Sequence, residues 1–195
     1  MTARLVLICH GSTDAVRKFA FPADEPLDEY GRAAAAALAE RLPGADRCWT
    51  SPELRTRQTA EELKLDATVH PALRECAYGA WSGQSFHDVH ACDPQGVAAW
   101  SRDPTATPHG GESIQSLMRR VADWLAGEQP HHQQSIVITH PTVIRAAIVH
   151  AIEGTPQSFW RIDVAPLSLT SLSCTNRRWT LVSTGAVGRR IAVRR

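Results

Sequence analysis

The chain has 195 residues, 43% of them apolar and six of them Trp, enough to bury one sizeable core and to predict a single domain spanning 1–195. Its 21 basic and 20 acidic residues leave a formal charge of +1, which removes any global electrostatic reason to bind nucleic acid or an anionic membrane. Five scattered cysteines without a CxxC pair predict neither a disulfide framework nor a zinc site, and the first apolar run, Leu5 to Ile8, is far too short for a signal-peptide core or a membrane span. A cytoplasmic protein is expected, with no metal, no cofactor and a small-molecule ligand; a homodimer is allowed but not indicated.

In chain order, Arg4 to Cys9 reads as a buried central strand ending at His10-Gly11. Leu27 to Leu42 reads as a helix rich in alanine and stopped by Pro43-Gly44. Asp46 to Thr50 is a short strand. Pro52 to Leu63 is a helix with Ser51 as its N-cap. From Asp66 to Gly111 repeated Pro and Gly predict a loop-rich insert with one or two short helices. Between Glu112 and Leu125, Ile114, Leu117, Val121, Trp124 and Leu125 mark one face of a helix. Ser135 to Thr139 is a second buried strand, ending at His140, followed by an apolar helix over Val143 to Ile152. Leu167 to Cys174 and Trp179 to Ser183 form a hairpin turning at Asn176. The basic tail Arg189, Arg190, Arg194 and Arg195 reads as a solvated terminus. This order predicts a three-layer α/β/α sandwich with a mostly parallel central sheet.

Two histidines just beyond the ends of two apolar strands come to the same edge of the sheet if those strands are parallel neighbours. Taken alone, such histidines are more often structural than functional. Four segments taken together are more specific: Cys9-His10-Gly11-Ser12-Thr13; Ser51-Pro52-Glu53-Leu54-Arg55 with Thr59-Ala60; Leu73-Arg74-Glu75; and Thr139-His140 with Val143-Ile144-Arg145. Pro26-Leu27-Asp28, Gly31-Arg32, Trp81-Ser82-Gly83 and Gly110-Gly111-Glu112-Ser113 support them. In this order they resemble the phosphoglycerate mutase-like histidine phosphatases, from residue 4 to about residue 150.

The resemblance implies that His10 attacks phosphorus and becomes a phosphohistidine. It implies that Arg55 forks its donors onto the phosphoryl group, that His140 donates to the phosphoryl oxygens, and that Glu75 protonates the leaving oxygen and later activates water. Gly11 lets backbone approach the His10 ring, or is simply a turn glycine; Thr13 offers a hydroxyl to phosphate, or is simply a turn residue. The four side chains of His10, Arg55, Glu75 and His140 are then expected in one pocket at the carboxyl edge of the sheet.

Three positions depart from the pattern. Cys9 stands where the family carries its first phosphate-binding arginine, Val16 where many members have asparagine, and Pro141-Thr142 where Gly-Gly is usual. Arg17 and Arg57 are candidates to compensate; Cys9 keeps a place among the substrate-binding candidates and also raises a cysteine nucleophile, although a buried strand cysteine is usually inert packing. A small-metabolite phosphomonoesterase with a modified pocket is the leading reading. A weak or inactive member that binds an anionic ligand, and an enzyme adapted to a less charged substrate, are the alternatives.

Overall fold

Alternate residues of the first apolar run face opposite ways, and both faces are covered. A computed structural model, describing residues 2–127 and 134–186, places this run in β1 (Thr2–Cys9), at the centre of a six-stranded sheet. The other strands are β2 (Arg47–Thr50), β3 (Thr68–Val69), β4 (Gln134–Thr139), β5 (Leu169–Thr175) and β6 (Arg178–Ala186), in the order β3-β2-β4-β1-β5-β6. Strands β1 to β4 are mutually parallel and β5 runs against both of its neighbours, so the sheet is mixed but mostly parallel. The basic tail lies outside the described residues.

The helices are α1 (Asp14–Arg17), α2 (Glu29–Leu38), α3 (Leu54–Glu62), α4 (Phe86–Cys92), α5 (Pro94–Arg102), α6 (Ile114–Gly127) and α7 (Pro141–Ala151). Val6, Ile8, Ile136 and Ile138 on one face of the sheet pack with Ala35 and Leu38 of α2 and Ala60 and Leu63 of α3. Leu5, Leu7, Cys9 and Val137 on the other face join the core formed by α6, α7 and the insert. Leu117, Val121 and Leu125 of α6 are fully enclosed, and each buried aliphatic side chain of this kind contributes roughly 1.5–3 kcal/mol. Among the described residues no helix is long and apolar enough to cross a membrane.

Several boundaries differ from the sequence reading for local reasons. Helix α2 begins at Glu29 because Asp28 caps it, its carboxylate accepting from the Gly31 amide at 2.6 Å, while Leu27 is bridged to Thr13. Helix α3 begins at Leu54, not Pro52. Ser51 is not its cap; an Asp24 carboxylate from the loop between α1 and α2 accepts from the Leu54 amide at 2.6 Å and leaves the Ser51 hydroxyl for the site. In the insert, Pro94 starts α5 instead of breaking it, because proline at a first helical position gives up an amide that has no acceptor there. The final hairpin turns at Asn176 and Arg177, both at positive φ (50° and 66°), as a two-residue turn requires.

One close approach sets the geometry of the loop after β1. Gly31 of α2 lies against the Ser12 backbone, and a Cβ there would overlap the Ser12 carbonyl oxygen and amide. Glycine to alanine inside a helix ordinarily stabilises by about 1 kcal/mol. Here Gly31→Ala is expected to lower the melting temperature instead, by an overpacking cost of about 1–3 kcal/mol. An unchanged or raised melting temperature would contradict this packing.

Candidate active site

Residues just past the ends of adjacent parallel strands share an edge, and the register fixes which ones meet. Cys9 of β1 pairs with Thr139 of β4, so the next residues, His10 and His140, emerge side by side with ring centroids 5.3 Å apart. This is the carboxyl edge of the parallel strands, where α/β sheets bind ligands. Arg55, in the first turn of α3, and Glu75, in the insert, reach the same place.

His10 is buried, and its Nδ1 lies 2.7 Å from the Gly11 carbonyl oxygen, an acceptor only. Nδ1 therefore carries the proton and Nε2 keeps its lone pair, which accepts from Arg55 Nε at 3.3 Å. Burial, followed by the charges of His140 and Arg55, holds the His10 pKa well below the usual imidazole value, against a smaller opposing effect of the Gly11 hydrogen bond. The ring is thus a neutral imidazole of fixed tautomer, the form a nitrogen nucleophile requires.

His140 is fully buried at the N-cap position of α7. Its Nε2 contacts Ser51 Oγ at 2.7 Å and the Glu53 carboxylate at 3.0 Å, so Nε2 carries the proton and Nδ1 is turned to Arg55 Nη2 at 3.2 Å. Burial raises the Glu53 pKa, but the hydrogen bonds and charge of His140 and the Ser51 hydroxyl outweigh it and hold it at about 2. Glu53 also accepts from the Glu75 amide at 3.1 Å, tying the insert to the histidine edge.

The Arg55 guanidinium has no exposed surface, and its third donor, Nη1, is bound to the Ala23 carbonyl at 2.8 Å. Glu75 Oε2 lies 3.6 Å from Arg55 Nη2 and 3.5 Å from His140 Nδ1. Glu75 Oε1 accepts from the Cys76 amide at 2.8 Å and from the Thr142 hydroxyl. The Pro141-Thr142 pair has its own use: proline opens α7, and threonine fixes the carboxyl group. The first-turn amides of α7, which have no intrahelical acceptors and no side-chain cap, add the positive end of a helix beside the histidines.

Other residues singled out in the sequence are placed differently. Cys9 is fully buried in the apolar core and does not line the cavity, which corrects its place among the substrate-binding residues; burial, then the nearby Glu75 charge, pushes its thiol pKa up, in keeping with the inert packing usual for a buried strand cysteine. Thr13 is corrected from phosphate ligand to helix cap, because its hydroxyl accepts from the Val16 amide at 3.2 Å and donates to Glu25 at 3.1 Å. Gly11 keeps its expected place: its carbonyl oxygen lies 2.7 Å from His10 Nδ1, its amide donates to Thr59 Oγ1 at 3.0 Å, and a Cβ there would press on Gly31 and Leu27. Arg17 is paired with Asp14 and Asp28 at the surface, and Arg57 is exposed, so neither compensates for Cys9. Sequence reasoning missed Glu53, Ser51 and Thr142 as supports of the histidines and the acid. It quoted Arg145 in a motif without giving it a place; this arginine lines a cavity of about 650 Å³ together with His10, Glu75 and Thr142. Among the described residues no group of three His, Cys, Asp or Glu side chains is arranged to hold a metal.

Known proteins resemble this chain in sequence and in fold. A bifunctional protein of Mycobacterium tuberculosis is 30% identical over 179 residues, covering 85% of this chain but 49% of the relative, so the chain spans about half the length of that protein. Phosphoserine phosphatase 1 of Hydrogenobacter thermophilus is 28% identical, with 90% of this chain and 88% of the relative covered. A mycobacterial glucosyl-3-phosphoglycerate phosphatase structure superposes with a TM-score of 0.84 at 25% identity, over 96% of this chain and all of the other. The family model of the histidine phosphatase superfamily (branch 1) matches residues 5–186, and with the strand order and paired histidines already described, this chain belongs to that superfamily.

Proposed function

We propose that this chain is a phosphomonoesterase that acts on a small phosphorylated metabolite through a phosphohistidine on His10. The observation that carries this reading is the state of His10: buried, neutral, with Nδ1–H fixed on a carbonyl and Nε2 free to attack. Phosphatase activity among its relatives supports the reaction class.

Nε2 attacks phosphorus, the bond from phosphorus to the leaving oxygen breaks, and protonated Glu75 gives its proton to that oxygen. The Glu75 carboxylate then takes a proton from water as the water oxygen attacks the phosphohistidine, which restores neutral His10 and protonated Glu75 and releases phosphate. The contacts of Arg55 with both histidines mark where the phosphoryl oxygens sit: phosphate entering between them takes over the Nε and Nη2 donors, and the charge that builds at transfer meets a guanidinium already in place. Glu53 and Ser51 hold His140 for the same purpose. No step calls for a metal or an organic cofactor.

His10→Ala is expected to abolish hydrolysis of 4-nitrophenyl phosphate measured with a chelator present. Glu75→Gln is expected to slow hydrolysis of an alkyl phosphate by about 10²–10⁴-fold and that of 4-nitrophenyl phosphate much less, because nitrophenolate leaves without a proton. Equal slowing of both esters would remove Glu75 from the acid role.

The pH dependence follows from the same groups. Because the folded His10 resists protonation, kcat/KM is expected to show no loss centred on pH 6.5 from the nucleophile, its protonation lying at more acidic pH. Stability moves the other way. The unfolded chain takes up protons at His10 below about pH 6.5 and at Glu53 below about pH 4.5 that the folded chain refuses, so unfolding becomes easier as the pH falls, for Glu53 down to about 2. Melting curves that rise on acidification from pH 7 to 4 would contradict this assignment.

A further inference from the structure

The cavity that opens from His10 and Glu75 is far larger than a phosphoryl group needs, at about 650 Å³ against about 30 Å³ for a water molecule. Its wall is aromatic. Phe21, Tyr78 and Trp100 form a buried base, with Phe21 5.1 Å from Tyr78 and 5.7 Å from Trp100 between ring centroids. Trp160 stands edge-on to Trp100 at 4.4 Å, and Phe86 lies 6.2 Å from Phe21, extending the wall outward.

Phe19 at the mouth is the least expected of these residues. Its ring is 83% exposed, and its backbone sits at φ 50°, a left-handed conformation that is unfavourable for a bulky side chain. The loop is held there by hydrogen bonds on both sides, the Phe86 amide donating to the Phe19 carbonyl at 2.8 Å and the Phe19 amide to the Val16 carbonyl at 3.3 Å. A strained, exposed phenylalanine gains the fold little, but it sets an apolar face over the cavity that leads to the nucleophile. Charge adds a second selection. Besides the Glu75 acid, the lining carries two carboxylates, Glu25 and Asp163, against the single guanidinium of Arg145, which disfavours a further anionic group on the substrate.

We infer that the cavity selects phosphate esters whose leaving group is a planar aromatic ring without a negative charge of its own. This rests on His10 being the phosphate-accepting residue, because that sets which end of the ester faces the aromatic wall. Offset or edge-on packing against several rings favours a flat ring over a saturated one of similar size.

The test uses non-hydrolysable phosphonates, so that binding is read whether or not the protein turns over. Calorimetry should give 3-phenylpropylphosphonate a Kd at least about tenfold below that of 3-cyclohexylpropylphosphonate, and about tenfold below that of its 4-carboxyphenyl analogue. In Phe19→Ala, whose exposed ring is not needed for folding, the phenyl-to-cyclohexyl ratio should fall toward one. Equal affinity for the phenyl and cyclohexyl compounds, tighter binding of the carboxylated one, or an unchanged ratio in Phe19→Ala would each overturn the inference. Hydrolysis of 2-phenylethyl phosphate, run in parallel, separates the two readings. Aromatic preference in binding without His10-dependent turnover would sink the phosphatase reading alone; turnover without aromatic preference would sink the substrate class alone.

Discussion

A guanidinium withdrawn completely from water is costly to hold unless every donor finds a partner, and the Arg55 guanidinium has a partner at each of its three nitrogens. It donates to His10, to His140 and to the Ala23 carbonyl, with Glu75 next to it. These contacts make one unit of groups brought from two strand ends, a helix start and the insert. Burial, then His140, then this fixed positive charge disfavour protonation of His10 and keep a lone pair on its Nε2. Removing Arg55 would leave Glu75 without its guanidinium neighbour and take away a donor from each histidine.

Much of this architecture was legible in the sequence because it rests on short-range rules. Apolar runs ending at His10 and His140 gave two central strands, and the parallel pairing of neighbours then set the histidines side by side. The face of α6 was legible from its three-and-four spacing. What could not be read was decided by distant partners. Ser51 looks like a helix cap because serine before proline usually is one, yet Asp24 caps α3 and frees Ser51 for His140. Thr13 looks like a phosphate ligand by resemblance, yet it spends its hydroxyl on the first turn of α1 and on Glu25. The support given by Glu53 and Thr142 depends on the insert folding over the sheet edge, for which no spacing in the chain gives a signal.

Cys9 ends the central strand next to His10 without entering the cavity. Its side chain shares the core face of β1 with Leu5 and Leu7 and adds no charge at the edge. The positive groups that remain near the nucleophile are the buried Arg55, the start of α7 and Arg145 in the cavity wall, whose Nε is committed to the Ile162 carbonyl at 2.7 Å. Neither His10 nor Glu75 depends on the side chain at position 9 for its hydrogen bonds.

The central claim is that phosphate is carried covalently on His10, and rapid acid-free quenching of the protein with a ³²P-labelled phosphate ester tests it most directly. The account predicts a protein-bound label that is stable in alkali, is lost in acid, maps to the peptide containing His10 and is absent from His10→Ala. It also predicts that turnover continues without exchange of the label onto any cysteine. A labelled residue other than His10, or burst-free hydrolysis that persists in His10→Ala, would contradict it.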